Sequence, residues 1–289
     1  MATGDLITAD WQIERNGLLM GDGSVYDLRK IDGLAGAPPT APSDRSLSQR
    51  HGSVAGEDYL KPRTIVLTFE IVSDESTLTA KLDALNLAMV PSINPVATAY
   101  RIPGVAGGGV VTNTTHSRNR SVVVDSSYAR GVATVVVQLV AADPRLYGLT
   151  QSSATARTDD IATVGLEFDA VPDLTFGGAI FPGSLTVNNA GNFTEPFKLR
   201  IYGPATDPVV TRSSDELFLS FTGTVALGDY LEIDGADRTI KLNSVTNKYS
   251  LLDGDSTWFD LDPGANTLRL TRTGSDASTL VVYLYSAFV

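Results

Sequence analysis

Residues 63–89 read RTIVLTFEIVSDESTLTAKLDALNLAM, and the change of period inside this stretch decides the fold. From Arg63 to Val72 the side chains alternate, as they do on a strand with one buried face. From Ser76 the period lengthens. Leu78, Leu82, Leu85 and Met89 recur at spacings of four, three and four, which makes one stripe of a helix, and Pro91 ends it. Elsewhere the period returns to two: RSVVVDSS (120–127) and GVATVVVQLV (131–140) read as half-buried strands. The chain is therefore expected to be mainly β, with one substantial helix whose leucines face a sheet.

Working outward, two stretches look irregular. GAPPTAPSDRSLSQRHGSVAGEDYLKP (36–62) is rich in Pro, Ser and Gly and has no apolar period. A loop of this length has a job or is disordered. Its arginines Arg45 and Arg50, with Arg63 just beyond, can reach acidic neighbours across a contact between subunits, or simply pair on the surface. QSSATARTDD (151–160) is polar and follows a run that closes with AADPRLYG, a suitable place for a boundary between residues 1–150 and 151–289. Beyond it, short strands separated by Gly, Asn, Asp and Pro turns suggest a β-sandwich.

Composition narrows the chemistry. A chain of 289 residues, 43% apolar and 19% charged, has enough material for one large or two ordinary globular domains. No apolar run approaches the roughly 20 residues that span a bilayer, and MATGDLITADWQIE lacks the basic and apolar regions of a signal peptide. Cysteine is absent and only His51 and His116 are present. Thiolate metal sites and cysteine nucleophiles are thereby excluded, and multi-imidazole sites are disfavoured. The net charge of -11 is uneven: 13 basic face 15 acidic residues up to Gly148, and 9 face 18 from Leu149 onward. An acidic second half repels phosphate backbones, so nucleic-acid binding is rejected.

The search for a catalytic constellation yields weak candidates. HGSVAG (51–56) places Ser53 one position too early for a nucleophile elbow. His116, Ser117 and Asp125 supply triad residue types in what reads as a polar turn, with nothing to fix their geometry. GVAGGGVV (104–111) has phosphate-loop composition, but the residues after it favour a strand, so a hairpin tip is expected. DGDSTWFDLDPG (253–264) offers Asp253, Asp255, Asp260 and Asp262 to calcium, yet Trp258 stands where an EF-hand requires glycine. The reading preferred there is two strand ends with acidic turns. GDYLEIDGADRTIKLN (228–243) reads as a hairpin with Leu231, Ile233, Ile240 and Leu242 inward, and with Asp234 and Arg238 able to pair beside the turn. No catalytic, cofactor or metal residue is assigned.

The order of these pieces carries a resemblance. VYDLRKIDGLAGAPP (25–39), RHGSVAGEDYL (50–60), the strand opening on Arg63, the single helix and VAADPRLYG (140–148) follow one another as in the distal tail proteins of siphoviruses, the long-tailed non-contractile bacteriophages. AGNFTEPFKLRIYGPATDPVV (190–210), the hairpin at 228–243 and WFDLDPGANTLRL (258–270) resemble the second domain of that family.

The resemblance implies a tail-tube-like N-terminal β-sandwich with one α-helix that builds a ring, and a galectin-like C-terminal β-sandwich. It implies a structural minor tail protein without enzymatic activity or cofactor. Six copies would form a hexameric ring at the tail tip or baseplate. That ring would join the tail tube protein to the tail-tip hub protein and receptor-binding proteins, with DNA passing through its lumen. Assembly would take place in the host bacterial cytoplasm. Ring closure would also cover the edges of a strand-rich fold. Three alternatives stand beside this one: a host-glycan-binding module using Trp258, Tyr283 and Tyr285, a tail-associated hydrolase, and a tail-tube protein proper.

Overall fold

The computed structural model describes residues 2–158, 183–273 and 277–289. They form two compact units, Met1–Leu149 with Phe288–Val289, and Thr150–Ala287.

In the N-terminal unit the strands are β1 (Gln12–Arg15), β2 (Leu18–Gly21), β3 (Tyr26–Asp32), β4 (Arg63–Val72), β5 (Val96–Arg101), β6 (Val111–Val123), β7 (Val132–Ala141) and the start of β8 (Leu146–Thr158). They pair in the orders β2-β1-β5-β6 and β3-β4-β7-β6. Strand β6 therefore serves two sheets: Val111–Thr115 pair with β5, and His116–Val123 pair with β7. A bulge between Ser117 and Asn119 marks the change of partner, because an extra residue bends a strand. The core lies between the sheets, where Ile65, Leu67, Phe69 and Ile71 of β4 and Val135, Val137 and Leu139 of its neighbour β7 are buried with Ile13, Met20, Tyr100 and Val111 of the other sheet.

Among the described residues the one α-helix, α1 (Glu75–Ala88), falls where the leucine period places it. Leu78, Leu82, Leu85 and Met89 are all buried in this core. The helix ends on a cap supplied from another element: Arg15 Nε and Asn16 Nδ2 donate to the carbonyl of Ala88 at 3.2 and 3.1 Å. The last carbonyls of a helix lack internal donors and carry its negative end, so a cation suits the position.

Two expectations are corrected. Residues 36–62 are not irregular but a hairpin, with rungs at Thr40↔Leu60, Ala41↔Tyr59, Arg45↔Val54 and Ser46↔Ser53. Each strand piece is only two residues long, too short to show a period. Residues 151–158 belong to β8, so the polar stretch is strand; Asp159 and Asp160 lie outside the described residues. Among the described residues, no helix is long and apolar enough to cross a membrane.

The C-terminal unit is a β-sandwich. Its strands are β9 (Ser184–Asn189), β10 (Lys198–Tyr202), β11 (Ala205–Arg212), β12 (Phe218–Ser220), β13 (Thr224–Val225), β14 (Tyr230–Asp234), β15 (Thr239–Leu242), β16 (Thr246–Asn247), β17 (Gly264–Thr273) and β18 (Ser278–Phe288). One sheet has the order β8-β18-β10-β14-β15-β16, the other β9-β17-β11-β12 with β13 against β11. Leu199, Ile201, Leu231, Ile233, Leu280 and Val282 of the first are buried with Val187, Val210, Leu268 and Leu270 of the second. Alternation along each strand supplies both the inner apolar layer and the polar outside.

Candidate assembly interface

The hairpin of residues 36–62 is an arm without a core. From Pro39 to Pro62 every side chain is exposed except Ala41 and Leu60, which are half-buried. Leu47, Val54 and Tyr59 project apolar surface, with Tyr59 60% exposed. Local bonds shape it: Ser43 Oγ donates to the Glu57 carbonyl at 2.6 Å, and Gly56 N donates to Asp44 Oδ1 at 3.1 Å. The two sides approach so closely there that a Cβ on Gly56 would lie 2.4 Å from the Ser43 carbonyl oxygen. A two-stranded ribbon is marginal by itself in water.

The root of the arm is the opposite in character. Arg63, where the arm returns to β4, is 1% exposed. Its Nη1 donates to the carbonyls of Gly33, Leu34 and Gly36 at 3.0, 2.7 and 2.8 Å, and its Nε to that of Pro144 at 2.7 Å. One guanidinium thus ties both ends of the arm to the turn between β7 and β8. The VAADPRLYG motif presents that last carbonyl. Asp143 accepts from Arg145 Nε and Nη2 at 2.9 and 3.0 Å and from the Tyr147 hydroxyl. Burial would raise the Asp143 carboxyl, but these donors hold it below its ordinary value. Arg45 and Arg50 are exposed on the arm as expected, whereas Arg63 is no surface cation.

In the C-terminal unit the family-like residues also resolve into physical roles. A Cβ on Gly191 would fall 1.7 Å from the Ala287 carbonyl oxygen, and one on Gly203 would fall 2.1 Å from that of Ala226. The Asp207 carboxylate accepts from Gly223 N at 2.8 Å while Asp207 N donates to the Gly223 carbonyl at 2.8 Å, closing a turn.

The outer face of β10, β14 and β18 holds a charged and aromatic patch. Arg200 binds Glu232 across the sheet at 2.8 Å and lies over the rings of Tyr230 and Tyr283, at 4.9 and 5.5 Å from their centroids. Ser244 Oγ donates to Glu232 Oε2 at 2.8 Å. Burial alone would raise Glu232, but donation from Ser244 and Arg200 holds it low. Asp234 pairs with Lys198 at 3.0 Å rather than with Arg238, and its Oδ1 accepts from Ala236 N and Asp237 N. The partner of Asp234 therefore comes from a neighbouring strand, which sequence proximity does not reveal.

The remaining candidates do not assemble. Ser117 is buried and His116 half-buried, on opposite faces of β6, while Asp125 accepts from Ser127 N at 2.8 Å in the following turn. The turn expected to hold the triad is thus largely strand. Ser53 is exposed on the arm. GVAGGGVV forms the connection between β5 and β6, with Gly104, Gly107 and Gly108 at positive φ, as a hairpin tip requires. The acidic segment 253–262 covers the edge of β12: Asp253 N donates to the Ser220 carbonyl and Thr257 N to that of Phe218. Among the described residues no group of acidic and histidine side chains is arranged to hold a metal. Trp258 packs against the core, and Tyr285 is 41% exposed.

Residues 190–284 match the family described as siphovirus-type tail component, C-terminal domain. The crystal structure of the SPP1 Dit (gp 19.1) protein has 15% sequence identity and a TM-score of 0.67, covering 96% of this chain and 99% of that chain. That protein is described as a paradigm of the hub adsorption apparatus in phages infecting Gram-positive hosts. A chain of the phage P2 baseplate in its activated conformation with Ca is more distant, with 9% identity, coverage of 93% and 97%, and a TM-score of 0.47. No curated protein matches the sequence. Residues 190–284 are thus similar to the siphovirus-type tail component C-terminal domain, and the chain as a whole shares the fold of the SPP1 Dit protein.

Proposed function

We propose that this protein is a structural subunit of the virion tail tip, closing into a homo-oligomeric ring, hexameric by its family resemblance. The ring joins the tail tube to the hub and the receptor-binding apparatus, with the galectin-like sandwich outward and no enzymatic activity. The observation that carries this reading is the arm: a hairpin exposed at all but Ala41 and Leu60, with apolar side chains and no core, anchored by a buried arginine. Such a segment gains its burial from another molecule. Deleting residues 38–56 is expected to leave a folded monomer that native mass spectrometry no longer finds in rings. Normal rings from the deletion variant would make the arm a passive insertion. A stable monomer of the intact chain at micromolar concentration, with no ring density in imaged tails, would remove the assignment.

A second reading rests on Arg200, Glu232, Tyr230 and Tyr283, whose rings and planar polar groups suit a neutral saccharide. Binding of the full chain to a host cell-wall glycan, lost in Arg200→Ala, would support it. A glycan array without signal would leave the face structural.

A further inference from the structure

Helix α1 carries a second stripe, on the side away from the core. Asp83 and Leu87 are one turn apart, and Val90 continues the stripe, its N–H donating to the Leu87 carbonyl at 3.4 Å. All three are exposed, Leu87 at 74% and Val90 at 49%, and Ile93 in the following loop is 95% exposed. Single apolar residues on a surface need no explanation, but a run from Leu87 through Val90 to Ile93 does. The ledge is held from behind. Arg15 and Asn16 cap the Ala88 carbonyl, His116 Nδ1 lies 3.3 Å from the Ser92 carbonyl oxygen, and Asn94 N donates to Ser92 Oγ at 3.3 Å. The Asp83 carboxylate forms no ion pair among the described residues.

The arm of residues 36–62 carries the complementary chemistry. Arg45 stands directly opposite Val54 in its ladder, so their side chains share one face. Residues 45–54 contain Arg45 and Arg50 and no acidic residue, on a chain of net charge -11. Neither arginine has an ion pair among the described residues. Nearby acids are occupied: Asp44 accepts from Gly56 N, and Glu57 Oε2 from the Tyr59 hydroxyl at 2.8 Å. Each surface thus sets an apolar side chain beside one unpaired charge, of opposite sign. Cross-strand neighbours lie about 5 Å apart, and residues one helical turn apart about 5–6 Å, so Arg45 and Val54 match Asp83 and Leu87 in spacing.

Three other exposed apolar groups lack a free acid beside them. Asp10, next to Trp11, pairs with Arg101 at 2.8 Å. Beside Val72 and Val124, Glu70 is held by Arg29 and Asp125 accepts from Ser127 N. In the turns that bear Leu227 and Val245, Asp229 accepts from Asn243 Nδ2 at 2.8 Å.

We propose that the outer face of α1 and the loop after it receive the arm of a second copy of this chain, Arg45 meeting Asp83 and Val54 meeting Leu87 and Ile93. This rests on the arm being an assembly element and adds where it lands. The contact is heterologous, so one copy's arm takes the next copy's helix. Apolar burial supplies the attraction, and the charge pair fixes the register.

The test uses the full-length chain, which has no cysteine of its own. Val54→Cys combined with Leu87→Cys is expected to give disulfide-linked multimers on mild oxidation, whereas Val54→Cys combined with Leu227→Cys stays at the level of the single variants. Asp83→Arg is expected to weaken assembly about tenfold in a native mass spectrometry titration, and adding Arg45→Asp to restore it. Leu87→Lys is expected to abolish rings while leaving the circular dichroism spectrum unchanged, since the side chain is exposed. Cross-linking no greater than the control, or normal rings in Leu87→Lys, would overturn this docking site. If deletion of residues 38–56 still abolished rings in that case, the arm would keep its role and land elsewhere. Rings that survive the deletion would remove both readings.

Discussion

The N-terminal unit sequesters Arg15 and Arg63 among carbonyls and hydroxyls, whereas the C-terminal unit keeps Arg200 and Lys198 nearer the surface against Glu232 and Asp234 of a neighbouring strand. The difference shows two uses of a cation. A guanidinium among carbonyls fixes where loops meet, because one planar group satisfies several backbone acceptors that no local partner can reach. A guanidinium against a carboxylate fixes strand register instead, because the pair joins neighbouring strands on one face.

The contrast can be broken most severely through the core that surrounds the buried arginines. Leu82→Asp places an unpaired carboxylate among Leu78, Leu85 and Met89, and we expect no soluble protein. Soluble, assembled variant would show that the helix stripe faces water. Next, Arg63→Met strands four carbonyls and is expected to cost about 3–5 kcal/mol in urea unfolding of the N-terminal unit. An unchanged midpoint would mean that solvent replaces the guanidinium without loss.

In the C-terminal unit, Glu232→Gln is expected to cost about 1–3 kcal/mol, and Arg200→Met with Glu232→Leu less than the single change, since the double variant leaves no lone charge. A double variant worse than the single would reverse the distinction between the units. The same carboxylates set a pH dependence. Glu232 and Asp234 titrate below their ordinary values in the folded state, so they bind fewer protons than the unfolded chain near pH 4. Their contribution is complete above the unfolded pKa and disappears as pH falls through the folded one. Acid unfolding of the C-terminal unit should therefore have a shallower slope in Glu232→Gln, checked by circular dichroism. The smallest effect is expected at the exposed pair of Arg29 and Asp27, where solvent screens the charges and Arg29→Ala should leave the urea midpoint of the N-terminal unit essentially unchanged.

How much of this was legible depended on whether the signal was local. The period of Arg63–Val72 and the leucine spacing of α1 are local patterns, and both placed their elements and buried faces. The arm was not legible, because strand pieces of two residues have no period to read. Strand β8 was hidden by its composition: Ala154 and Ala156 turn inward between polar neighbours, and small residues give a weak alternation. The partner of Asp234 stands 36 positions upstream at Lys198, in a register that only the folded sheet defines. Arg63 was visible as the basic residue that opens a strand, but its four carbonyl partners come from segments before and after it.

The arm also bears on timing. Because residues 39–62 bury almost nothing, their pairing contributes little to the free energy of folding, and the units need not wait for it. If the arm docks on a neighbour, as proposed, folding and association would be separate events in sequence. An extended ribbon on a finished body would then enlarge the radius within which a first encounter succeeds, raising the rate of capture at low protein concentration.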